Sequence, residues 1–535
     1  MGTEFFKSFE TRTFACFAVL VSAFVFAPFL FPATDAPYWF HDHFFNTLQI
    51  VENFRLKGFP TFDGVTPTND FSPLWGLTLC GLSVLVSAKT TAFYIIVRMI
   101  LAGALCLSLW LFNRLIDALD FQPEKESRFL SSAFLSALFL YMAQSGSEAA
   151  MVIPCVFFNA LCLLKALKNP SFLSGLPVGL TVCLCAFVRF DSVAVFFVAV
   201  LVIYFQYNSK YPVSKKGLLL LIAGTVAGLI PLMIYADIMQ TKFGTPVPAE
   251  FLSWQTAQGS APWRLFTVLF YEPVRYLFRV PQEIALIFFP SLILPLVAYA
   301  SFPWNGEEQR PQETVFYTLL WYPVAYLTYL SFSTYLTLPE YAFYPFAVGA
   351  PLALLFAARK IKSQISEREQ EKARRFWLIL GCLFLLVSFS LAVKPRSPAY
   401  KSVVDAVAEF ADKSPQGRYA VGTGAGFISF FTKADVVRLD GMAEDALFLK
   451  LLNEQASLSD AFGTYSVDYY VAVNLPKGKN PCHSAREPVQ NRFGGTNKGM
   501  SDWLCADPVF LKDVSKKIKV SIFPIDSSGR AVSFY

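Results

Sequence analysis

The sequence predicts a polytopic α-helical membrane protein of about eleven spans with a C-terminal extracytoplasmic α/β domain, and three observations lead there. Of 535 residues, 55% are hydrophobic and only 16% charged, against a soluble average of about 25% charged. The apolar residues gather into runs of roughly 17 to 25, the length of helix that crosses a hydrocarbon core about 30 Å thick. From residue 394 onward the runs stop and charge returns. A soluble core could not enclose this much apolar surface, 56 phenylalanines included, so an ordinary globular enzyme is excluded.

In chain order the candidate spans are 13–32, 74–88, 93–113, 129–143, 149–166, 173–188, 191–207, 217–237, 280–301, 314–332, 341–358 and 376–393. The first follows Lys7 and Arg12 and runs into an aromatic, Asp-containing segment, which reads as a retained helix with a cytoplasmic N-terminus. Basic residues in short loops set orientation. Arg114, Lys125 and Arg128 mark one cytoplasmic loop, Lys210, Lys215 and Lys216 a second, and the stretch Arg359 to Arg375 a third. Loops 33–73 and 238–279 and the tail then lie outside. An inside N-terminus and an outside C-terminus demand an odd number of crossings, so the twelve candidates reduce to eleven. The surplus is expected between 74 and 143, because two candidates separate 33–73 from 114–128, which belong on opposite sides.

Residues 1–393 thus form the transmembrane part and 394–535 a soluble unit. In the tail, strand-like runs such as Tyr419–Val421 and Tyr469–Val473 alternate with helical ones such as Glu444–Leu452. About 140 residues suffice for one α/β domain with its own core. Eight of the ten cysteines lie in or beside spans, where a small apolar thiol is unremarkable. Cys482 and Cys505, 23 apart in the tail, are expected to pair in an oxidising compartment; two buried free thiols are the other reading.

Ionisable groups at membrane depth are costly and carry the functional information. The densest set follows the first span: Tyr38-Trp39-Phe40-His41-Asp42-His43-Phe44-Phe45. It reads as an interfacial aromatic anchor with a solvated Asp, as a metal site, or as a catalytic base at the mouth of a cavity. The metal reading is weakened because histidines at i and i+2 share a face only on a strand. After Glu52-Asn53 and Gly58 comes Phe62-Asp63-Gly64-Val65-Thr66-Pro67-Thr68-Asn69-Asp70-Phe71-Ser72-Pro73-Leu74-Trp75, a turn-rich loop with Pro73 placed for the first turn of a helix.

This order, an acidic residue, an aromatic pair, Glu-Asn, Gly, then Phe-Asp-Gly-Val-x-Pro-Thr-Asn-x-Phe-x-Pro-Leu-Trp, resembles the first extracytoplasmic loop of bacterial GT-C glycosyltransferases, the branch related to terminal arabinofuranosyltransferases. That family usually has two consecutive acids where Asp42-His43 stand, and often Gly where Asp70 stands. Ser145-Gly146-Ser147-Glu148, Val188-Arg189-Phe190-Asp191 and Phe243-Gly244-Thr245-Pro246-Val247-Pro248 are similar to further motifs of the family. So are Gly424-Ala425-Gly426 and Val437-Arg438-Leu439-Asp440-Gly441. A lysine common downstream of the Phe243–Pro248 motif is not evident.

The resemblance implies a GT-C-like enzyme of the bacterial inner membrane. Such an enzyme moves a sugar, with arabinofuranose one candidate, from a polyprenyl-phosphate donor to a hydroxyl of a glycan, lipid or protein acceptor. Asp42 with His43 would be catalytic. His41, Glu52, Asn53, Asn69, Asp70, Glu148, Arg189 and Asp191 would bind donor or acceptor. No cofactor is required, a divalent cation is compatible, and membrane lipids rather than nucleic acid are the surroundings. Each motif also has a plainer reading: Arg189 and Asp191 as a self-neutralising pair, Glu148 as a helix cap, and Gly424–Gly426 as a strand connection. Glu250, Arg264, Arg275 and Glu340 read as solvated charge in outer loops. A transporter or flippase is the rival class, but it would typically show matched repeats with broken spans, which are not found.

Overall fold

A computed structural model of the chain describes residues 15–30, 32–69, 71–120, 123–208, 214–246, 248, 310–332, 344–395, 397–422, 424–432, 434–439, 446–474, 482–487, 500–515 and 518–532. The predicted run 280–301 lies outside them.

Helix α1, Ala15–Phe29, is followed by a 3-10 turn, Ala33–Trp39, and α2, Asp42–Lys57, which stops at Gly58 in the left-handed conformation (φ 81°). Next come α3 Pro73–Leu85, α4 Thr91–Ala118, α5 Lys125–Ala143, α6 Ala149–Lys168 and α7 Phe172–Val188. After the 3-10 turn Phe190–Val193, α8 runs Ala194–Asn208. The run predicted at 217–237 is two helices, α9 Lys215–Gly228 and α10 Ile230–Phe243. Pro231, which lacks the N–H to continue a ladder, sits in the first turn of α10. Helices α11 Pro311–Phe332, α12 Tyr344–Gln364 and α13 Glu367–Val393 complete the apolar series. Four described stretches are long and apolar enough to cross a membrane: Thr91–Ala118, Ala149–Lys168, Lys215–Phe243 and Glu367–Ala411.

The short α3 differs in course from the others. Its 13 residues make about 20 Å of helix, well short of a bilayer core. It packs on α2, and after the turn at Ser87–Thr90 the chain is again beside α2, where the Tyr94 ring of α4 lies 5.9 Å from Phe40 and 6.2 Å from Phe45. Both ends of α3 therefore sit at the Asp42 end of the bundle. At the opposite end, Glu124 pairs with Lys362 at 2.9 Å and Arg374 at 3.0 Å. Burial pushes the Glu124 carboxyl up, but these two cations outweigh it and hold it below the usual carboxylate range.

Within the bundle, α7 and α9 meet along small residues: Gly175 and Gly179 face Gly224 and Gly228. Small residues four apart let two helices approach to backbone contact where there is no hydrophobic drive between them. A Cβ on Gly179 would run into the Thr225 carbonyl, a rigid neighbour. Gly179→Ala should therefore cost about 1–3 kcal/mol and lower the melting midpoint of the detergent-purified protein. Gly103→Ala, whose Cβ meets nothing within 4 Å, should leave that midpoint unchanged.

The tail opens with α14, Pro398–Ala411, and continues β1 Arg418–Val421, α15 Ala425–Phe431, β2 Asp435–Arg438, α16 Ala446–Glu454, α17 Leu458–Thr464 and β3 Tyr469–Val473. It ends with β4 His483–Glu487, β5 Met500–Leu504, β6 Phe510–Ser515 and β7 Ile518–Pro524. Five strands form one sheet in the order β2-β1-β3-β7-β6. The first three run parallel and β7 and β6 antiparallel. Period-two alternation gives the sheet two buried faces. Tyr419, Val421, Val471 and Ile522 join the core that continues into the helical bundle, whereas Ala420, Tyr470, Ala472 and Phe523 join a second core under α16 and α17.

Strands β4 and β5 form a separate antiparallel pair in which His483 faces Leu504. That register places Cys482 opposite Cys505, and the two are joined as a disulfide with Cα atoms 4.0 Å apart, as their isolation in the tail suggested.

Candidate active site

Asp42 is the first residue of α2 and is buried. Its Oδ1 accepts a hydrogen bond from the Phe427 N–H at 2.8 Å. Phe427 is the third residue of α15, whose own N-cap is Gly424, a residue without a capping side chain. Asp42 thus supplies from the first loop the oxygen that a local capping residue would provide. The Gly424–Gly426 segment is a strand-to-helix connection, and Gly426 lies so close to the Asp42 carbonyl and Asn46 Oδ1 that a Cβ would collide with both.

Other contacts hold the tail to the same loop. Phe427 stacks between Tyr38 and Tyr400 with centroids at 5.5 and 5.2 Å, and Phe45 packs on it at 4.5 Å. The Ser397 N–H donates to the Tyr38 carbonyl at 2.9 Å, Lys401 pairs with Asp35 at 2.5 Å, and Arg418 with Asp63 at 2.6 Å.

His43, one residue along the helix and so about 100° around it, faces another way. With Thr47 one turn on, it lines a small pocket of about 20 Å³ whose other walls include Glu148, Arg189, Tyr235 and Pro248. Glu148 precedes α6 as its N-cap residue but makes no side-chain cap hydrogen bond. Its Oε1 instead accepts from Arg189 Nη1 at 2.8 Å. Arg189 ends α7, and its Nε donates to Asp191 Oδ2 at 3.0 Å, while the Tyr326 hydroxyl from α11 donates to the same oxygen at 2.7 Å. The Arg189, Glu148 and Asp191 side chains are 3%, 5% and 0% exposed. Burial at that level is tolerated only because each charge is paired and hydrogen-bonded. Two carboxylates around one guanidinium leave the trio one negative charge in excess.

The remaining predicted residues are arranged around this cluster. His41 is exposed, and its N–H donates to the Ser145 carbonyl at 3.1 Å. Glu52 pairs with Arg55 of its own helix at 2.8 Å. Asn53 Nδ2 donates to the Thr61 and Phe62 carbonyls at 3.0 and 2.7 Å, which ties the loop back onto α2. Asn69 Nδ2 donates to Thr245 Oγ1 at 2.9 Å, fastening the first loop to the Phe243–Pro248 motif. Asp70, Glu250, Arg264, Arg275 and Glu340 lie outside the described residues, as does the Asp440-Gly441 part of the second tail motif.

The structure therefore gathers His43, Glu148 and Arg189 on one pocket with Asp191 behind them, sets Asp42 on the adjoining face, and leaves His41, Glu52 and Asn53 off the pocket walls. Tyr326, Thr245 and the Phe427 amide were not anticipated. Tyr326 is one of several tyrosines in an apolar run, and a backbone N–H carries no residue-type signal.

No protein-family model and no curated protein matches the chain. Among the solved structures similar to it, two align over most of their length. The archaeal oligosaccharyltransferase AglB from Archaeoglobus fulgidus, in complex with an inhibitory peptide and a dolichol-phosphate, aligns at TM-score 0.51 and 11% identity over 86% of this chain and 69% of that one. ArnT from Cupriavidus metallidurans, bound to undecaprenyl phosphate, aligns at TM-score 0.55 and 12% identity over 88% and 93%. The chain has the fold of the GT-C glycosyltransferases. At these identities the likeness is one of fold.

Proposed function

We propose that this chain is a membrane glycosyltransferase that moves a sugar from a polyprenyl-phosphate donor to a hydroxyl of a glycan, lipid or protein acceptor at the outer face of a bacterial inner membrane. The observation that carries this reading is the buried Glu148–Arg189–Asp191 cluster on the wall of a pocket built from the first loop, in a fold shared with proteins holding dolichol-phosphate and undecaprenyl phosphate. A lipid-linked donor keeps its chain in the bilayer and presents phosphate and sugar at the interface, so its enzyme needs polar groups at that depth.

In this reading the acceptor oxygen attacks the anomeric carbon, its proton passes to the Asp42 carboxylate, and the bond from that carbon to the phosphate oxygen breaks. The lipid phosphate leaves with the bonding pair and gains negative charge near Arg189, a low-dielectric setting where a planar cation is effective. A single displacement of this kind inverts the anomeric configuration. Because the trio is one negative charge in excess, a divalent cation arriving with the donor would complete the phosphate site.

In this reading α1, α4 to α8, the α9–α10 pair and α11 to α13 cross the membrane while α3 returns to the side it left, and the eleventh crossing, expected at 280–301, lies outside the described residues. Thiol labelling of intact cells, in a background lacking the eight free cysteines, should modify Val65→Cys and Leu511→Cys, both exposed, but not Ser363→Cys. Labelling of Ser363→Cys alone would place Asp42 on the cytoplasmic face, away from any donor already flipped outward.

The decisive assay is chemical. Purified protein in nanodiscs, given synthetic polyprenyl-phosphate pentoses and hexoses with glycan acceptors, should release polyprenyl phosphate and form a new glycosidic bond. Movement of intact lipid-linked sugar between leaflets, with none consumed, would establish the flippase reading instead.

A further inference from the structure

At the opposite end of the bundle from the pocket, α1, α4 and α5 enclose a groove of about 890 Å³, at the upper end of the size range of small-molecule sites. Its lining changes character along its length. Between Cys106 and Asn113 of α4, about 10 Å of helix, the walls are Phe17, Val21, Leu109 and Phe129; the end nearest the basic loop is closed by Asn113, Lys125 and Arg128. Trp110 also lines the groove, 55% exposed, with the Arg114 guanidinium 5.7 Å over its ring. An amphipathic ring in that position marks a membrane–water boundary.

We propose that this groove is a binding site for an anionic phospholipid of the leaflet opposite the pocket, its phosphate against Lys125 and Arg128 and its acyl chains along Phe17, Val21 and Leu109. The polarity gradient fits an amphiphile entered head-last, and a zwitterionic head would gain less from two cations. Basic pockets between spans are a known means of selecting acidic head groups. Two of the neighbouring acids pair with cations, Asp117 with Arg128 at 2.7 Å and Glu124 with Lys362 and Arg374, and Glu126 lies between Lys125 and Arg128 in the chain. A lipid phosphate would share Arg128 with Asp117, whose side chain is 54% exposed and free to be hydrated instead. The guanidinium offers donors enough for both.

The site is independent of sugar transfer, so it is tested without any activity assay. Native mass spectrometry of the detergent-purified full chain, incubated with equal amounts of phosphatidylglycerol and phosphatidylcholine, should show phosphatidylglycerol retained about tenfold over phosphatidylcholine, the ratio that one charge-assisted hydrogen bond supplies. Lys125→Gln with Arg128→Gln should bring the two lipids level. Leu109→Trp, which fills the groove and keeps both cations, should reduce retention of phosphatidylglycerol, and it guards against a misfolded charge variant. Equal retention by the unaltered protein, or undiminished preference in the charge variant, would overturn the proposal. So would displacement of the lipid by millimolar inorganic phosphate, which would identify an anion site with no call for acyl chains.

Discussion

Asp42→Asn is expected to lower sugar transfer by about 10²- to 10⁴-fold, the contribution of a positioned general base, with little change in stability. The asparagine side chain keeps an oxygen where Oδ1 accepts from the Phe427 N–H, and Asn and Asp cap helices about equally well. Asp42→Ala removes both the base and the cap, so it should add a loss of about 0.5–2 kcal/mol in stability to the same loss of turnover. Comparing the two separates chemistry from docking of the tail. If Asp42→Asn keeps more than a tenth of wild-type turnover while Asp42→Ala melts early, Asp42 is a cap for α15. The base would then be sought on the pocket wall, where Glu148 and His43 stand.

Arg189 has the largest expected structural effect. Replacement by Met strands Glu148 and Asp191 as buried, unpaired carboxylates, a change that costs about 3–5 kcal/mol. Adding Glu148→Gln removes one of those charges and should recover part of the loss in thermal stability without restoring donor binding. Arg189→Lys keeps the charge but cannot span Nη1 to Glu148 and Nε to Asp191 at once, because an ammonium lacks the planar fork. Its affinity for a polyprenyl-phosphate donor should fall by about 1.5–3 kcal/mol, roughly 10- to 100-fold. Binding measured on the folded variant decides the role: unchanged donor affinity with lowered stability would make the trio a structural ion network and nothing more.

The sequence by itself determined what depends on local composition and short spacing. Apart from the run at 280–301, which lies outside the described residues, apolar runs long enough to cross a bilayer placed helices where the structure has them, because in hydrocarbon a backbone must satisfy its own hydrogen bonds and helix is the local way to do so. The composition change at residue 394 was the ground for expecting a separate tail, and two lone cysteines beyond it were enough to expect the bond they form. The residue types of the cluster, Glu148, Arg189 and Asp191, were also legible, since charge at membrane depth persists only for a reason.

Tertiary structure alone decided how these pieces combine. Glu148 and Arg189 are 41 residues apart and Asp191 meets Tyr326 across 135; no periodicity encodes such contacts. Asp42 and His43 are neighbours in sequence but point to different partners, because successive residues of a helix diverge by about 100°. Hence one faces the tail and the other the pocket. The partner of Asp42 is a backbone amide 385 residues away, and every residue except proline carries that group, so side-chain chemistry could not reveal it. The course of α3 was settled the same way: an apolar run of 13 residues reads as part of a span until the ring of Tyr94, packed beside Phe40 and Phe45, shows that the chain has come back to where it started.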